Sequence, residues 1–352
     1  MTNSLNKIIV AFGALMLFGA GCISISSGPA GNDGGVFKST TFGREWAPKV
    51  TLVTSAGLKN FGGANIITFA VDPQDHRAIY AGSDLSGMFY TYDGGETWQQ
   101  PQALTHGYVS AIAIDPKNKC ITYAAVDNRI LKSVDCNRTF SEIYREVRAE
   151  NTLTAFVIDP RDSANLYAGT VRGTLLKSND AGRTWILEHT FPGRRIVSIV
   201  IDPRASAVRY VALTGKGVWK TTDGGSTFKE LSEPLKSFTR AFDVRYLISA
   251  RSASGHLLLA TRNSILRTVD GGEHFEALPL VSPGDVDILS IGMDLNNPDA
   301  VYYGTSTTFY ISGDGGKGWS TKKLPSTRAA TALIVDPEEP NNLYLGVTKI
   351  KR

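Results

Sequence analysis

The residues of this sequence that could perform chemistry do not form a recognised catalytic motif. The stretch from Gly313 to Gly318 has the GxGxxG spacing of a dinucleotide-binding loop, but Trp319 and a strand-like segment follow it where a helix is required. The sequence has no GxSxG nucleophile elbow, no Walker loop and no HExxH metal motif, and its 5 histidines are scattered. From these motifs we expect no cofactor.

Three cysteines are the remaining reactive side chains. Cys120 and Cys136 have neither CxxC spacing nor a nearby histidine pattern, so we expect no metal site. Cys22 has a different setting, because it follows the small residues Gly19 to Gly21 and an apolar run from Ile8 to Ala20. That run is preceded by a lysine and is too short to span a bilayer stably, which indicates a signal peptide.

The segment before Cys22 is similar to a bacterial lipobox, although Gly19 replaces the usual leucine three residues before the cysteine. The pattern predicts a lipoprotein signal peptide over residues 1–21, acylation of Cys22, and a flexible tether over residues 22–35. An ordinary signal peptide with an incidental cysteine is the alternative. With the anchor, we expect an exported protein held at the outer side of the cytoplasmic membrane or in the outer membrane.

The composition is that of an ordinary globular protein, with 42% hydrophobic and 20% charged residues in a chain of 352. The formal net charge of +4 is too small to indicate nucleic acid by itself, and we expect no nucleic-acid partner. The 35 glycines indicate many tight turns.

A short motif recurs along the chain at intervals of 42 to 52 residues, longer than the roughly 34 residues of a helical repeat. It reads Ser or Thr, any residue, Asp, two small or polar residues, any residue, usually Thr, and an aromatic. The Asp carboxylate can accept hydrogen bonds from its own turn, which predicts a structural role. Six copies keep this residue, as Asp93, Asp135, Asp180, Asp223, Asp270 and Asp314, and a worn copy from Ser39 to Trp46 has lost it.

A second motif precedes most of these boxes. It is an apolar run, usually followed by Asp-Pro, and then a strand that ends in Tyr-x-Gly or Tyr-x-Ala. Each unit therefore reads as four short strands. The first box has no such hairpin before it, and the last hairpin, from Thr331 to Gly346, has no box after it. Six complete units and one split unit predict an all-β fold over residues 36–352: a seven-bladed β-propeller of four-stranded blades, closed by a composite blade of N- and C-terminal strands.

The boxes resemble the Asp-box, or BNR, repeat of sialidases, sortilin, xyloglucan-hydrolysing propellers and photosystem II stability/assembly factors. The resemblance covers residue 36 to the C-terminus. In its size, single ring, split blade and signal segment, the chain is most similar to the photosystem II assembly-factor-like group and its sortilin-like relatives. The resemblance implies a scaffold or assembly factor that binds protein without catalysis.

The glycoside hydrolases that share this repeat imply a second hypothesis. The segment from Tyr80 to Gly87 resembles xyloglucan hydrolases near the inner turn that carries their general base, which would make Asp84 a catalytic candidate. The acid of those enzymes comes from a second propeller, which this chain lacks, and glycosidases need two carboxylates about 5 to 9.5 Å apart. The alternative is that Asp84 has no catalytic role and only shapes its turn.

Basic residues are predicted to gather on one sector of the face that carries the links between blades and the turns between second and third strands. Asp84 and Asp127 mark an acidic sector opposite. Arginine's planar guanidinium favours carboxylate and phosphate partners, so this sector predicts docking of an acidic protein segment, with an anionic glycan second. Scattered, solvated cations are the alternative. The predicted binding residues are Arg172, Arg194, Arg195, Lys216, Arg240, Arg245 and Arg262.

Cys120 and Cys136 are predicted to form a disulfide. Cys120 begins the second strand of its unit, and Cys136 lies in the turn that ends the third strand. Adjacent antiparallel strands place these two ends on the same rim. Closing a loop of this length contributes about 3 kcal/mol in the chain-entropy model. Two small buried thiols are the alternative.

Three functions remain open from the sequence. The first is a membrane-tethered assembly or interaction factor, which we expect to be monomeric and to bind a protein partner that could itself be a membrane protein. The others are a carbohydrate-active enzyme and a passive glycan- or surface-binding lipoprotein.

Overall fold

The computed structural model describes residues 33–350, except 192, 283 and 285. The predicted signal peptide, Cys22 and most of the predicted tether lie outside these residues. Within the described part, the regular structure is β apart from two 3-10 turns, Gln102–Leu104 and Glu233–Leu235. No helix in this part of the chain is long and apolar enough to cross a membrane.

The strands form because short apolar runs alternate with Gly-, Asp- and Pro-rich turns. In chain order they are β1 (Gly35–Ser39), β2 (Ala47–Pro48), β3 (Thr51–Thr54), β4 (Gly57–Asn60), β5 (Ile66–Asp72), β6 (Asp75–Ser83), β7 (Met88–Thr91), β8 (Val109–Asp115), β9 (Asn118–Val126), β10 (Arg129–Ser133), β11 (Ser141–Arg145), β12 (Leu153–Ile158), β13 (Leu166–Thr170), β14 (Thr174–Ser178), β15 (Ile186–Thr190), β16 (Ile196–Asp202), β17 (Ala205–Leu213), β18 (Gly217–Thr221), β19 (Lys229–Glu230), β20 (Val244–Ser249), β21 (Leu257–Thr261), β22 (Ile265–Thr268), β23 (Glu276–Ala277), β24 (Ser290–Met293), β25 (Val301–Gly304), β26 (Thr308–Ser312), β27 (Ser320–Lys323), β28 (Ala329–Val335) and β29 (Leu343–Thr348).

These strands build seven antiparallel blades, which confirms the predicted propeller. Blade 1 contains β5–β7, and its fourth strand is reduced to bridges at Trp98 and Gln99. Blades 2 to 6 contain β8–β11, β12–β15, β16–β19, β20–β23 and β24–β27, and blade 7 contains β28, β29, β1 and β2. An extra hairpin, β3–β4, lies between blades 7 and 1. Second strands such as β13 and β21 are buried throughout, because neighbouring blades cover both of their faces.

The composite blade closes the ring as the split repeat predicts. Strand β1 pairs with β29 from Gly35↔Val347 to Ser39↔Leu343, and the innermost strands contact one another all the way round. The contacts begin upstream of the expected boundary at residue 36, because Thr327 N donates to an Asp33 carboxylate oxygen at 3.1 Å. The buried Arg328 guanidinium also donates to Asp33, at 3.2 Å, and to the Gly63 carbonyl, at 3.0 Å.

The box aspartates lie in the turns between third and fourth strands, where each organises its own loop. In blade 3 the Asp180 carboxylate accepts hydrogen bonds from Ser178 Oγ at 2.8 Å, Thr184 N at 2.9 Å and Thr184 Oγ1 at 2.6 Å. These donors, Thr184 foremost, lower the pKa of Asp180 to about 2. Gly182 adopts φ +89°, a left-handed conformation that glycine tolerates.

The worn box of blade 7 keeps the turn without an aspartate. Thr41 occupies the aspartate position, and its hydroxyl accepts the Glu45 N–H at 2.9 Å. The Ser39 hydroxyl accepts the Gly43 N–H at 2.9 Å, as the box serine does in other blades. A neutral hydroxyl thus supplies part of the hydrogen bonding of the lost carboxylate.

Several blades bind the box turn of the next blade through what we call the junction latch. The latch is a lysine immediately before the box, which donates to a carbonyl of the following turn, and a tyrosine opposite it on the second strand, which donates to the same carbonyl in two of the three latches. The Lys132 ammonium also lies over its partner tyrosine, 5.0 Å from the centre of the ring. The contacts are Lys38 Nζ and Tyr344 Oη to Gly94 O at 2.8 and 3.0 Å, Lys132 Nζ and Tyr123 Oη to Ala181 O at 2.9 and 3.3 Å, and Lys220 Nζ to Gly271 O at 2.9 Å.

Candidate functional site: the top face

The face that carries the blade links and the turns between second and third strands, here called the top face, opens into a central cavity of about 630 Å³. Six innermost strands have a β-bulge near their first residue, where one extra residue is left out of the ladder. The repeat therefore directs one residue per blade toward the axis. The bulged residues that line the cavity are Ile67, Ser110, Thr154, Val197, Arg245 and Thr331.

The hydroxyls around this cavity bind neighbouring blades. Thr154 Oγ1 donates to the Ile196 carbonyl at 2.6 Å, and Thr331 Oγ1 donates to the Ile66 carbonyl at 3.0 Å. Tyr246 Oη donates to the Leu289 carbonyl of blade 6 at 2.5 Å. Burial raises the pKa of Tyr246 to about 12. Because these hydroxyls are engaged in ring closure, the charged residues around the cavity are its available binding groups.

Three of the seven predicted binding cations are already paired with carboxylates. Arg172 Nη2 lies 3.2 Å from Glu150 Oε1. Arg245 and Arg262 both contact Asp287, at 3.3 and 2.6 Å. Arg245 is also the bulged residue of β20, whereas the sequence placed it on a link between blades. Positive charge in this sector is therefore lower than the sequence alone suggests.

The other four predicted cations are exposed, and none has a carboxylate within ion-pair distance among the described residues: Arg194, Arg195, Lys216 and Arg240. Arg195 lines the central cavity beside Asp243, while Arg194 and Lys216 line a smaller recess of about 130 Å³ between blades 3 and 4. Phe191 and Trp219 form aromatic walls of that recess. The arrangement can receive an anionic group next to an apolar one.

Asp84 lies in a top-face turn of blade 1 and is half-buried. Its carboxylate accepts a hydrogen bond from Asn65 Nδ2 at 2.9 Å, and the Asn65 Oδ1 in turn accepts from Arg328 at 3.0 Å. This network ties the turn to the ring-closing residues. Asp127, in the next blade, has φ +54° and accepts the Tyr108 N–H at 3.2 Å, so it shapes a tight turn.

The structure pairs Cys120 with Cys136 as a disulfide. Cys136 and Asn137, with φ +58° and +68°, take the two box positions that are Gly-Gly in four other blades. The Asn137 amide donates to the Tyr92 hydroxyl of blade 1 at 2.9 Å. The hydrogen bond from Asn137 thus holds this left-handed turn of blade 2 against blade 1.

Sequence reasoning missed the carboxylates of the top face, namely Glu150, Asp243 and Asp287. Each lies on or beside a link between blades, so the strand pattern could have placed them on this face. Which cation each acid would meet depends on loop conformation. No group of three or more His, Cys, Asp or Glu side chains suited to a metal ion occurs within the described ranges.

The comparisons with known proteins agree with a propeller fold. No protein-family model matches the sequence, and no curated protein matches it. Solved structures do match it: a GH74 enzyme of Niastella koreensis (19% identity, TM-score 0.65, covering 81% of this chain and 51% of that one), a GH74 xyloglucanase of Xanthomonas campestris (18%, 0.67, 81% and 51%), and YCF48 bound to a D1 peptide (14%, 0.62, 82% and 94%).

At these identities the likeness shows the fold alone. The chain spans about half the length of the two GH74 structures, at 51% of each. It spans 94% of the YCF48 chain, which is a propeller of nearly the same extent.

Proposed function

We propose that this protein is a non-catalytic binding scaffold that holds an acidic protein segment on its top face. One observation carries the proposal: Arg194, Arg195 and Lys216 are exposed and unpaired among the described residues, and they border the central cavity and the adjoining aromatic recess. Guanidinium and ammonium groups in this setting favour carboxylates, and the aromatic walls offer an apolar contact beside them.

The similarity to a single-propeller structure with a bound peptide supports this class of partner. Asp84 also supports it, because its carboxylate is engaged with Asn65 in a structural network. A scaffold of this type would bring its partner to a membrane if Cys22 is acylated, and we include that anchor in the proposal.

Binding to a short Glu-Gly repeat peptide, with its Gln-Gly counterpart as a neutral control, tests the surface. The triple variant Arg194→Gln/Arg195→Gln/Lys216→Gln should bind the acidic peptide at least about tenfold more weakly at low salt. The double variant Arg172→Gln/Arg262→Gln, which removes paired cations from the same face, should bind it nearly as well as wild type. Equal binding of both peptides by the wild type would contradict the proposal.

The anchor is tested separately. When the full chain is expressed in bacteria supplied with labelled palmitate, the wild type should incorporate label and sediment with membranes. Cys22→Ala should do neither. Label in the Cys22→Ala variant, or none in the wild type, would remove the anchor from the proposal while leaving the binding surface intact.

A further inference from the structure

The junction between blades 6 and 7 has no latch. Ile311 occupies the position of the latch lysine, immediately before the box of blade 6, and it pairs with Tyr302 on the second strand. The turn that a latch would reach is the worn box of blade 7, where Phe42 has φ +56°. With no cationic side chain crossing this gap, the two blades leave an open cleft.

The cleft has a volume of about 580 Å³, within the range of small-molecule sites. Its walls include Phe42, which is 42% exposed, whereas the Trp319 ring packs on Tyr303 and donates to the Pro279 carbonyl on the blade 5 side. At three other junctions a latch lysine crosses the equivalent position. Here the exposed Phe42 side chain stands on the rim of the face opposite the top face.

Three polar groups face the same space. Tyr302 is only 2% exposed, lines the cleft, and its hydroxyl has no hydrogen-bond partner among the described residues. Asp294 is buried at the base, where one carboxylate oxygen accepts the Asn296 N–H at 2.9 Å. Arg44 is exposed at the mouth and has no carboxylate within ion-pair distance in the described part of the chain.

The charges act on one another across the cleft. Burial, with a smaller contribution from Asp294 and an opposing one from Arg44, raises the pKa of Tyr302 to about 12. Tyr302, Asp294 and Arg44 all line this one cleft, so a single ligand can contact the three side chains.

A purely apolar occupant does not suit this chemistry. It would cover the Tyr302 hydroxyl and the Asp294 carboxylate without replacing their hydrogen bonds to water, which is costly. A sugar ring fits better, because its C–H face packs on aromatic rings while its hydroxyls reach donors and acceptors. The open Arg44 guanidinium adds a preference for a carboxylate on that ring.

We propose that the cleft between blades 6 and 7 is a binding site for an acidic sugar. Phe42 contacts the ring, Tyr302 and Asp294 bind its hydroxyls, and Arg44 binds its carboxylate. The site is separate from the top-face surface and does not depend on it.

Ligand-detected NMR and tryptophan fluorescence with glucuronate, and with glucose as the neutral probe, test this site. The wild type should bind glucuronate saturably in the millimolar range and bind glucose more weakly. Arg44→Gln should weaken glucuronate binding about tenfold and leave glucose binding unchanged. Tyr302→Phe should weaken binding of both sugars while the thermal midpoint is retained.

The repeat supplies matched controls. Arg138 and Arg183 occupy the box position of Arg44 in blades 2 and 3, so Arg138→Gln and Arg183→Gln remove the same charge from the same type of turn. Both should bind glucuronate like the wild type. Absence of saturable binding, equal binding of the two sugars, or an equal loss in the Arg138→Gln control would each overturn the proposal.

Discussion

The junctions between blades 2 and 3 and between blades 6 and 7 have the same strand geometry, but only the first contains a latch. At the first, Lys132 crosses the gap and donates to the Ala181 carbonyl at 2.9 Å, assisted by Tyr123. At the second, Ile311 stands in the place of that lysine, and a cleft of about 580 Å³ remains.

The difference shows how a repeat protein can gain a site by losing a structural contact. Six boxes keep their aspartate, and several junctions keep a cation, because ring closure benefits from each of them. At the junction between blades 6 and 7 both the box and the latch have changed, and the exposed Phe42 side chain lies there.

The junction between blades 3 and 4 depends on a buried ion pair, so its loss should have the largest effect. Arg209 forms two hydrogen bonds of 2.8 Å with Glu188, and the two side chains are 1% and 7% exposed. Arg209→Ala leaves the buried Glu188 carboxylate with only Lys177, whose ammonium is 3.8 Å away, and should lower the free energy of unfolding by about 3–5 kcal/mol.

Urea denaturation measures this loss. Arg262→Ala, which breaks an exposed pair with Asp287, should cost no more than about 1 kcal/mol. The double variant Arg209→Ala/Glu188→Ala should cost less than the sum of its single variants. Additive losses would show that the pair is not coupled.

Removal of one latch should have a smaller effect. Lys132→Met keeps the apolar stem but leaves the Ala181 carbonyl with a weaker set of donors, and should cost about 1–3 kcal/mol. Ile311→Met, at the same position of blade 6, should cost less because no latch is lost. A larger loss for Ile311→Met, measured by the same urea midpoint, would contradict the assignment of the latch.

The box aspartates should make stability depend on acid pH. Hydrogen bonds, first of all from Thr139 and Thr184, lower the pKa of Asp135 and Asp180 from 3.8 to about 2. A carboxyl whose pKa is lower in the folded state stabilises the fold above its unfolded pKa, and this contribution is lost as pH falls toward the folded pKa. The thermal midpoint should therefore drop between about pH 4 and pH 2.

The variant Asp180→Asn tests the source of that dependence. It should be less stable than the wild type at neutral pH and should lose less stability between the same two pH values. A midpoint curve parallel to that of the wild type would assign the acid sensitivity to other carboxyls.

Restoring the missing box aspartate should have the smallest effect. In Thr41→Asp the carboxylate can accept the Glu45 N–H and the Ser39 hydroxyl that Thr41 now contacts, which should add about 0.5–1.5 kcal/mol. Thr40→Asp, one position away, is the control and should add nothing. If the gain appears in both, general charge effects explain it.

Much of the fold could be predicted because each blade repeats the same local constraints. Asp180 fixes its turn through neighbours no more than four residues away, so the sequence alone identifies it. The split of the repeat between Ser39–Trp46 and Thr331–Gly346 likewise predicts which strands pair across the ring. The worn box showed that a blade had changed, but not that its junction was open.

The candidate sites could be predicted only in part. Arg172 and Arg195 both lie on the predicted face, yet only Arg172 meets a carboxylate within ion-pair distance, through a loop that carries Glu150. Loop conformation has no repeat to constrain it. The cleft at Tyr302 depends on two blades that are distant in sequence, and the side chain that is missing there is recognised only against the other junctions.

The sequence by itself determined the number of blades, their strand order and the closure of the ring, since these follow from local hydrogen bonding repeated at a regular spacing. The tertiary structure alone decided which cations stay unpaired and which junction is open. Those properties depend on distances between side chains of different blades, and no local pattern sets these distances.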